Sequence, residues 1–232
     1  MFDPSKIRAI TLDLDDTLWP VAPTIAGAER AMQDWLAARA PRTAALLAHV
    51  PQRMALRDAV VAQTPQCAHD MSALRRNIIA LALAQSEEPA HWCEPAFEVF
   101  YTARQNVTLY DDAQPALARM AARFPLLALT NGNADVHLVG LGAYFCGSVG
   151  AHTRGQPKPH RAIFDAAAQH LACSNEEVLH VGDDAHLDVV GAMAAGMQTV
   201  WLNRRGEAWA HGPASPHLTV HTLDALCDAL GV

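Results

Sequence analysis

Asp13, Asp15 and Asp16 fall within four positions in the stretch AITLDLDDTLWP (residues 9–20), after an apolar run and directly before Thr17. Like charges this close repel. Two carboxylates about 4 Å apart cost roughly 4 kcal/mol at an effective dielectric near 20. A chain that keeps such a cluster needs a cation to relieve it, and Mg²⁺ suits a few carboxylates supplemented by water and phosphate oxygens. Three more polar clusters follow in chain order: Thr130-Asn131-Gly132, Lys158 between two prolines, and Asp183-Asp184 with Asp188 beyond.

Each cluster alone has an ordinary explanation. Asp and Thr after a strand cap helices or form turns, TNGN is a common turn, and a loop lysine is usually solvated. Capping does not explain four clusters at successive strand ends of one sheet. In open parallel sheets ligands bind outside the carboxyl ends of the strands, and there the four can converge. Lys158 stands out because the chain has fifteen arginines and only one other lysine, Lys6. An ammonium is a compact point charge and a guanidinium a planar fork, so the choice of lysine here has chemical content.

The elements that must position these residues are legible as a pattern. Residues 8–14 read as a buried strand. Helical periodicity then runs through 24–40, 43–62, 71–84 and 89–105, with no convincing strand between them. After Tyr110 strands and helices alternate: helix 112–123, strand PLLALT, helix 134–141, a short strand near 147–151, helix 160–170, strand EVLHVG, helix 185–195, strand QTVWLN, and HLTV before a last helix. Alternation implies a parallel sheet with right-handed crossovers. The expected architecture is α/β, a Rossmann-like parallel-sheet core of residues 1–18 and 108–232 carrying an inserted α-helical cap over 19–107. The Gly/Pro-rich segment 203–216 reads as a surface loop.

Composition narrows the function. The chain has 232 residues, 51% of them hydrophobic, and a net charge of -7 with no long basic run. That argues against nucleic acid as a main partner. No apolar run is long enough to span a bilayer, and the N-terminus does not resemble a signal peptide. Five cysteines, none in Cys-x-x-Cys spacing, fit a reduced cytoplasmic protein. Of the histidines, His180 lies in an apolar strand and reads as a hydrogen-bonded core residue, while His217 and His221 read as surface.

DLDDT, LTNGN, QPKPH and VGDDAHLD match in order the four motifs of the haloacid dehalogenase-like (HAD) hydrolases, and the chain resembles that superfamily over its whole core. Leu12 departs from the Phe that many members place before the first Asp, a change expected to affect packing only. The resemblance implies a phosphatase with a C1-type cap. It implies Asp13 as nucleophile, Asp15 as acid and base, and Mg²⁺ held by Asp13, the Asp15 carbonyl and Asp183. Thr130, Asn131 and Lys158 would hold the phosphate. Asp188 is expected to orient Lys158 or an outer water, with Asp184 able to exchange roles with it.

The resemblance also sorts related chemistries. A halide leaving group needs no proton, so dehalogenases lack an acid two residues after the nucleophile. Phosphonate hydrolysis of the related type needs a cap lysine, and 19–107 has none. Within the family, TLDLDDTLWP, ALTNGNADVHLVGLGAYF and EVLHVGDDAHLDVVGAMAAGMQTVW are similar to bacterial flavin-pathway phosphatases, which act on FMN and on 5-amino-6-(5-phospho-D-ribitylamino)uracil. A broad sugar-phosphate or phosphoglycolate phosphatase is the alternative, and a non-catalytic phosphate-binding regulatory protein is the alternative from another class. The implied partner is a small phosphate monoester acting on a monomer or homodimer. Arg75 and Arg76, the only adjacent basic residues of the insert, are candidates for the leaving group, with Trp92, Phe97 or Tyr101 to stack on a ring. Two surface arginines would read the same way.

Overall fold

The structure is a computed structural model that describes residues 2–151 and 156–232, save for the side chain of Gln66. Six strands, all parallel, make one sheet: β1 (Ala9–Leu12), β2 (Leu126–Thr130), β3 (Gly147–Gly150), β4 (Val178–Gly182), β5 (Gln198–Leu202) and β6 (Leu218–Val220), in the order β3-β2-β1-β4-β5-β6. The expected α/β parallel-sheet core is therefore present. Every residue of β1, β2, β4 and β5 is buried. Their near-continuous Val, Leu and Ile runs are what a parallel sheet covered on both faces demands. Each such side chain, removed from water, contributes on the order of 2 kcal/mol.

The strand order decides where chemistry can happen. From β1 the chain moves outward to β2 and β3, then returns to lay β4 on the other side of β1. The crevice of this sheet is thus at the carboxyl ends of β1 and β4, where the direction of winding reverses. The register sets Leu12 against Val181 and Leu12 against Ala128, so Asp13, Asp183 and Thr130 emerge from adjacent strand ends.

By its contacts the chain separates into two compact units, Met1–Pro20 with Thr108–Val232, and Val21–Val107. The first holds the sheet and helices α6 (Ala113–Ala121), α7 (Arg161–His170), α8 (Gly191–Ala195) and α9 (Leu223–Leu230). Thr222 caps α9 through the Ala225 N–H, and Gly231 ends it at φ 71°. Where the chain leaves and re-enters this unit, the Tyr110 N–H donates to the Leu18 carbonyl at 3.0 Å.

The second unit is all helix: α1 (Val21–Ala37), α2 (Pro41–Ala48), α3 (Val50–Gln63), α4 (Met71–Gln85) and α5 (Cys93–Arg104). Its core includes Ala28, Met32 and Leu36 from one face of α1, Ile79 and Leu83 from α4, and Phe97 and Phe100 from α5. These spacings of three and four are the helical period that the sequence displays. Asp70 caps α4 by accepting from the Ser72 and Ala73 N–H groups, both at 2.9 Å.

Three expected helices differ in detail. The helix expected at 43–62 is two, because His49 is extended (φ -80°, ψ 104°) before Val50-Pro51. Val50, which precedes Pro51, is already helical, so the break falls one residue earlier, at His49, and Pro51 sits in the first turn of the new helix, where no intrahelical bond needs its missing N–H. The helix expected at 134–141 is a series of turns. Asp135 accepts from the His137 and Leu138 N–H groups, and Gly140 turns the backbone left-handed at φ 91° after one turn has formed. The helix expected at 185–195 starts as a π-helical segment, Ala185–Val190, before continuing as α8. Its first carbonyl, Asp184, takes both the Asp188 and Val189 N–H groups, at 3.0 and 3.3 Å. Such wide turns recur at functional sites, and this one carries Asp188.

Candidate active site

Four charged or titratable side chains sit together in the interior of the sheet unit. Asp13 is 7% exposed, Lys158 4%, and Asp188 and His180 1% each. The Lys158 ammonium donates to Asp13 Oδ1 at 2.5 Å and to Asp188 Oδ1 at 2.6 Å. Its backbone is held as well: the Asn131 amide donates to the Lys158 carbonyl at 3.0 Å, and the Lys158 N–H donates to Asn131 Oδ1 at 2.8 Å. The Asn131 side chain thus fixes the loop that carries the cation. A glycine opposite makes room for that loop, since a Cβ on Gly191 would run into Pro159 and the Phe164 ring.

One ammonium faces two buried carboxylates, and it can neutralise only one. Burial works against ionising Asp188, yet Lys158 and the His180 hydrogen bond bring its pKa down to about 2. Burial above all holds Asp13 well above the ordinary carboxylate range; Lys158 opposes that rise, and the charges of Asp188 and Asp183 add to it. Asp183 is pushed up to about 7, by burial first and then by Asp188 and Asp16. Burial also opposes the charge on Lys158, but its two carboxylate partners raise its pKa and it stays protonated.

A surplus of negative charge suits a cation. Carboxylate oxygens of Asp13, Asp183 and Asp188 lie within 4.8 Å of one another, so this group could hold a metal ion. Asp188 is already committed: Oδ1 accepts from Lys158 and faces His180 Nε2 at 3.2 Å, while Oδ2 accepts from the Asp184 N–H at 3.0 Å. That leaves Asp13 and Asp183 as the carboxylates whose charge is uncompensated, and a hard divalent cation fits such an oxygen set.

The remaining predicted residues have distinct places. The Asp15 carboxylate accepts from Trp19 Nε1 at 2.8 Å. The Thr130 hydroxyl accepts from the Gly132 N–H at 3.0 Å, which leaves its own hydrogen available to donate. Asp184 caps the π-helical segment through the His186 and Leu187 N–H groups, both at 2.8 Å. Arg75 pairs with Glu29 and lies 4.0 Å over the Phe100 ring; Arg76 donates to Glu94 at 3.0 Å and lies 3.6 Å over Phe97. Both arginines are thus engaged within their own helical unit.

Several contributors escape a reading of motifs. Thr17 donates to Asp183 Oδ1 at 3.2 Å, and Trp201 Nε1 donates to the Asp183 carbonyl at 2.9 Å. Arg204 grips Asp112 with two hydrogen bonds, at 3.0 and 2.9 Å, donates to the Thr17 carbonyl at 3.0 Å and stacks 4.0 Å over Tyr110. No spacing announces these partners, because they come from distant parts of the chain. His180 is different. It is a core residue, as expected, but it also touches Asp188, and its register partner in β1 is the equally buried Thr11. Two polar residues in neighbouring apolar strands were the available signal.

Comparison with known proteins gives three results. The family model of haloacid dehalogenase-like hydrolases matches residues 7–196. The chain is 33% identical over 229 residues to the 5-amino-6-(5-phospho-D-ribitylamino)uracil phosphatase YigB of Escherichia coli, spanning 95% of each, and 32% identical over 160 residues to phosphoserine phosphatase of Thermus thermophilus, spanning 64% of this chain and 62% of that one. Among solved structures, one described as 2-haloacid dehalogenase from Pseudomonas syringae pv. Tomato aligns at a TM-score of 0.91 and 36% identity, over 97% of this chain and 98% of that one.

Proposed function

Because this chain belongs to the haloacid dehalogenase-like hydrolases, we propose that it is a Mg²⁺-dependent phosphomonoester hydrolase working through an aspartyl phosphate on Asp13. The observation that carries this reading is Asp15, a second carboxylate two residues beyond the nucleophile and held by the Trp19 indole N–H. Halide departure requires no proton, whereas an alkoxide leaving group does. The solved structure described as a dehalogenase makes that contrast worth an explicit test.

The Asp13 carboxylate attacks phosphorus in line. An Asp13 O–P bond forms as the ester P–O bond breaks, and a proton from Asp15 goes to the departing oxygen. Water then attacks the same phosphorus, gives its proton to Asp15, and the Asp13 O–P bond breaks. The sum is ester plus water to alcohol plus phosphate. Two of the three ammonium hydrogens of Lys158 are used by Asp13 and Asp188, and the third is left for a phosphoryl oxygen. The Thr130 hydroxyl and the amides beside Asn131 supply further donors as charge redistributes. Mg²⁺, held by Asp13, Asp183 and the Asp15 carbonyl, would supply neutralisation of the phosphoryl oxygens and of the carboxylates around them.

For the substrate we favour FMN or 5-amino-6-(5-phospho-D-ribitylamino)uracil, on the full-length similarity to a phosphatase of the latter compound. Arg75 and Arg76 are proposed for its leaving group, each with its guanidinium carbon already over a ring. A cytoplasmic setting fits five cysteines that are all free thiols. No helix among the described residues is long and apolar enough to cross a membrane.

Phosphate release from p-nitrophenyl phosphate with Mg²⁺, its loss in EDTA, and its loss in Asp15→Asn support the proposal. Metal-independent halide release from a 2-haloacid, retained in Asp15→Asn, would overturn it.

A further inference from the structure

Behind the reacting residues lies a buried line of polar contacts that the proposed chemistry does not use. Thr11 Oγ1 sits 2.8 Å from His180 Nδ1, and His180 Nε2 sits 3.2 Å from Asp188 Oδ1. Asp188 in turn holds the Lys158 ammonium, and Lys158 reaches Asp13. Thr11 and His180 are register partners on β1 and β4, so the sheet itself fixes their separation. The Phe164 ring stands edge-on to the imidazole, with centroids 5.3 Å apart. Asp188 lies flat on the end of β4, where a Cβ on Gly182 would collide with its carboxylate.

The hydrogen placement has two settings. In one, Nδ1–H donates to Thr11 and the hydroxyl turns to the Leu179 carbonyl, a long 3.5 Å away. The bare Nε2 then faces an ionised carboxylate oxygen, two acceptors in contact in a dry interior, with the desolvation of both uncompensated. In the other, the Thr11 hydroxyl donates to Nδ1, and Nε2–H donates to Asp188. Every group is then satisfied with a neutral ring, which adds no positive charge beside Lys158. Fixing the tautomer through the hydrogen bond on the opposite nitrogen is an ordinary use of histidine.

We propose that Thr11 and His180 are positioning residues: Thr11 sets the imidazole tautomer whose Nε2–H anchors Asp188, and the anchored Asp188 aims Lys158 at Asp13 and the phosphoryl group. Neither residue touches substrate. The kinetic part rests on the phosphatase reading above; the tautomer part does not.

The test uses Thr11→Val, which keeps shape and loses the hydroxyl, against Thr11→Ser, which keeps the hydroxyl. His180→Phe is the ring-preserving companion and His180→Gln its rescue, since the amide restores a donor near the Nε2 position. In ¹⁵N-histidine spectra of the metal-free protein at neutral pH, wild type should show His180 protonated at Nε2 and bare at Nδ1. A ring protonated at Nδ1 alone overturns the proposal whether or not the enzyme hydrolyses phosphate esters. With p-nitrophenyl phosphate and saturating Mg²⁺, Thr11→Val should lower kcat about tenfold with KM within about twofold, as expected for an interaction realised in the transition state. Thr11→Ser should stay near wild type, and His180→Gln should recover much of what His180→Phe loses. Thermal midpoints of the two Thr11 variants separate stability from positioning. Equal kcat for Thr11→Val and wild type, or equal losses for Thr11→Val and Thr11→Ser, would sink it. If wild-type protein releases no phosphate, the phosphatase reading fails and the spectrum alone decides. Should His180→Phe fail to fold, the Thr11 pair carries the kinetic test.

Discussion

The sheet unit and the helical unit put their charges to different uses. In the sheet unit Asp13, Lys158, Asp188 and His180 are buried around one point, with more negative charge than the single ammonium can balance. In the helical unit the clustered interior includes Met32, Leu36, Ile79, Leu83, Phe97 and Phe100, and the ion pairs Arg75–Glu29, Arg76–Glu94 and Arg42–Glu88 are at least partly solvated; Arg104, 1% exposed, is its buried charge. Buried like charges cost stability and persist where they serve chemistry, whereas surface pairs contribute about 0–1 kcal/mol. Arg104 apart, charge changes should therefore register as activity in one unit, and apolar changes as stability in the other.

The sharpest contrast is Asp13→Asn. It should lower turnover on the order of 10⁴-fold or more, since it removes the proposed nucleophile. The melting temperature should hold or rise, because one member of a repulsive cluster is gone. Steady-state phosphate release beside thermal unfolding checks both; residual turnover near wild type would end the covalent scheme. The reverse case is Phe97→Ala. It empties a site that is 2% exposed and should cost about 4 kcal/mol in denaturant unfolding, with kcat per folded molecule for p-nitrophenyl phosphate largely kept.

Lys158→Arg comes next, at roughly 100-fold in kcat. The charge is kept, but a planar fork cannot take the place of an ammonium that meets two carboxylates at 2.5 and 2.6 Å. A near-normal kcat would show that the site asks only for positive charge.

A smaller effect links metal and pH. The ordinary Asp value of 3.8 rises to about 7 at Asp183, by burial and then by Asp188 and Asp16. Between those values the folded chain keeps a proton that the unfolded chain has lost. Metal-free stability should therefore fall as pH rises through that window. Mg²⁺ competes with this proton, so the rise in melting temperature on adding Mg²⁺ should be larger near pH 7.5 than near pH 5. An equal rise at both would mean that Asp183 is not a ligand. The smallest effect belongs to the helical unit. Arg75→Ala and Arg76→Ala should each cost about 1 kcal/mol or less in stability and raise KM several-fold for the ribitylaminouracil phosphate, leaving p-nitrophenyl phosphate unchanged. If neither substrate responds, these arginines have no part in recognition.

The parallel sheet was legible because apolar runs and turn residues repeat along the chain, and those signals are local. The segments that departed from expectation did so for nearby reasons with tertiary consequences. Gly140 stops a helix after one turn, His49 splits another, and the π-helical turn after Asp184 serves the placement of Asp188. The motif residues could be named from their order. Their supports could not: Thr17 reaching Asp183, and Arg204 binding Asp112 and the Thr17 carbonyl, join positions far apart in the chain with no period to announce them. His180 was visible as a polar residue in a buried strand, but only the strand register reveals Thr11 beside it.

The Tyr110 N–H on the Leu18 carbonyl closes a loop of chain at its neck. Everything from Val21 to Val107 hangs beyond that closure. In chain order the whole helical segment is one long insertion within the sheet unit's sequence, and lengthening a loop adds little closure entropy, about 0.6 kcal/mol per doubling. The segment is therefore exchangeable in principle. A short turn or a different folded module spliced between Pro20 and Thr108 should leave the sheet able to fold.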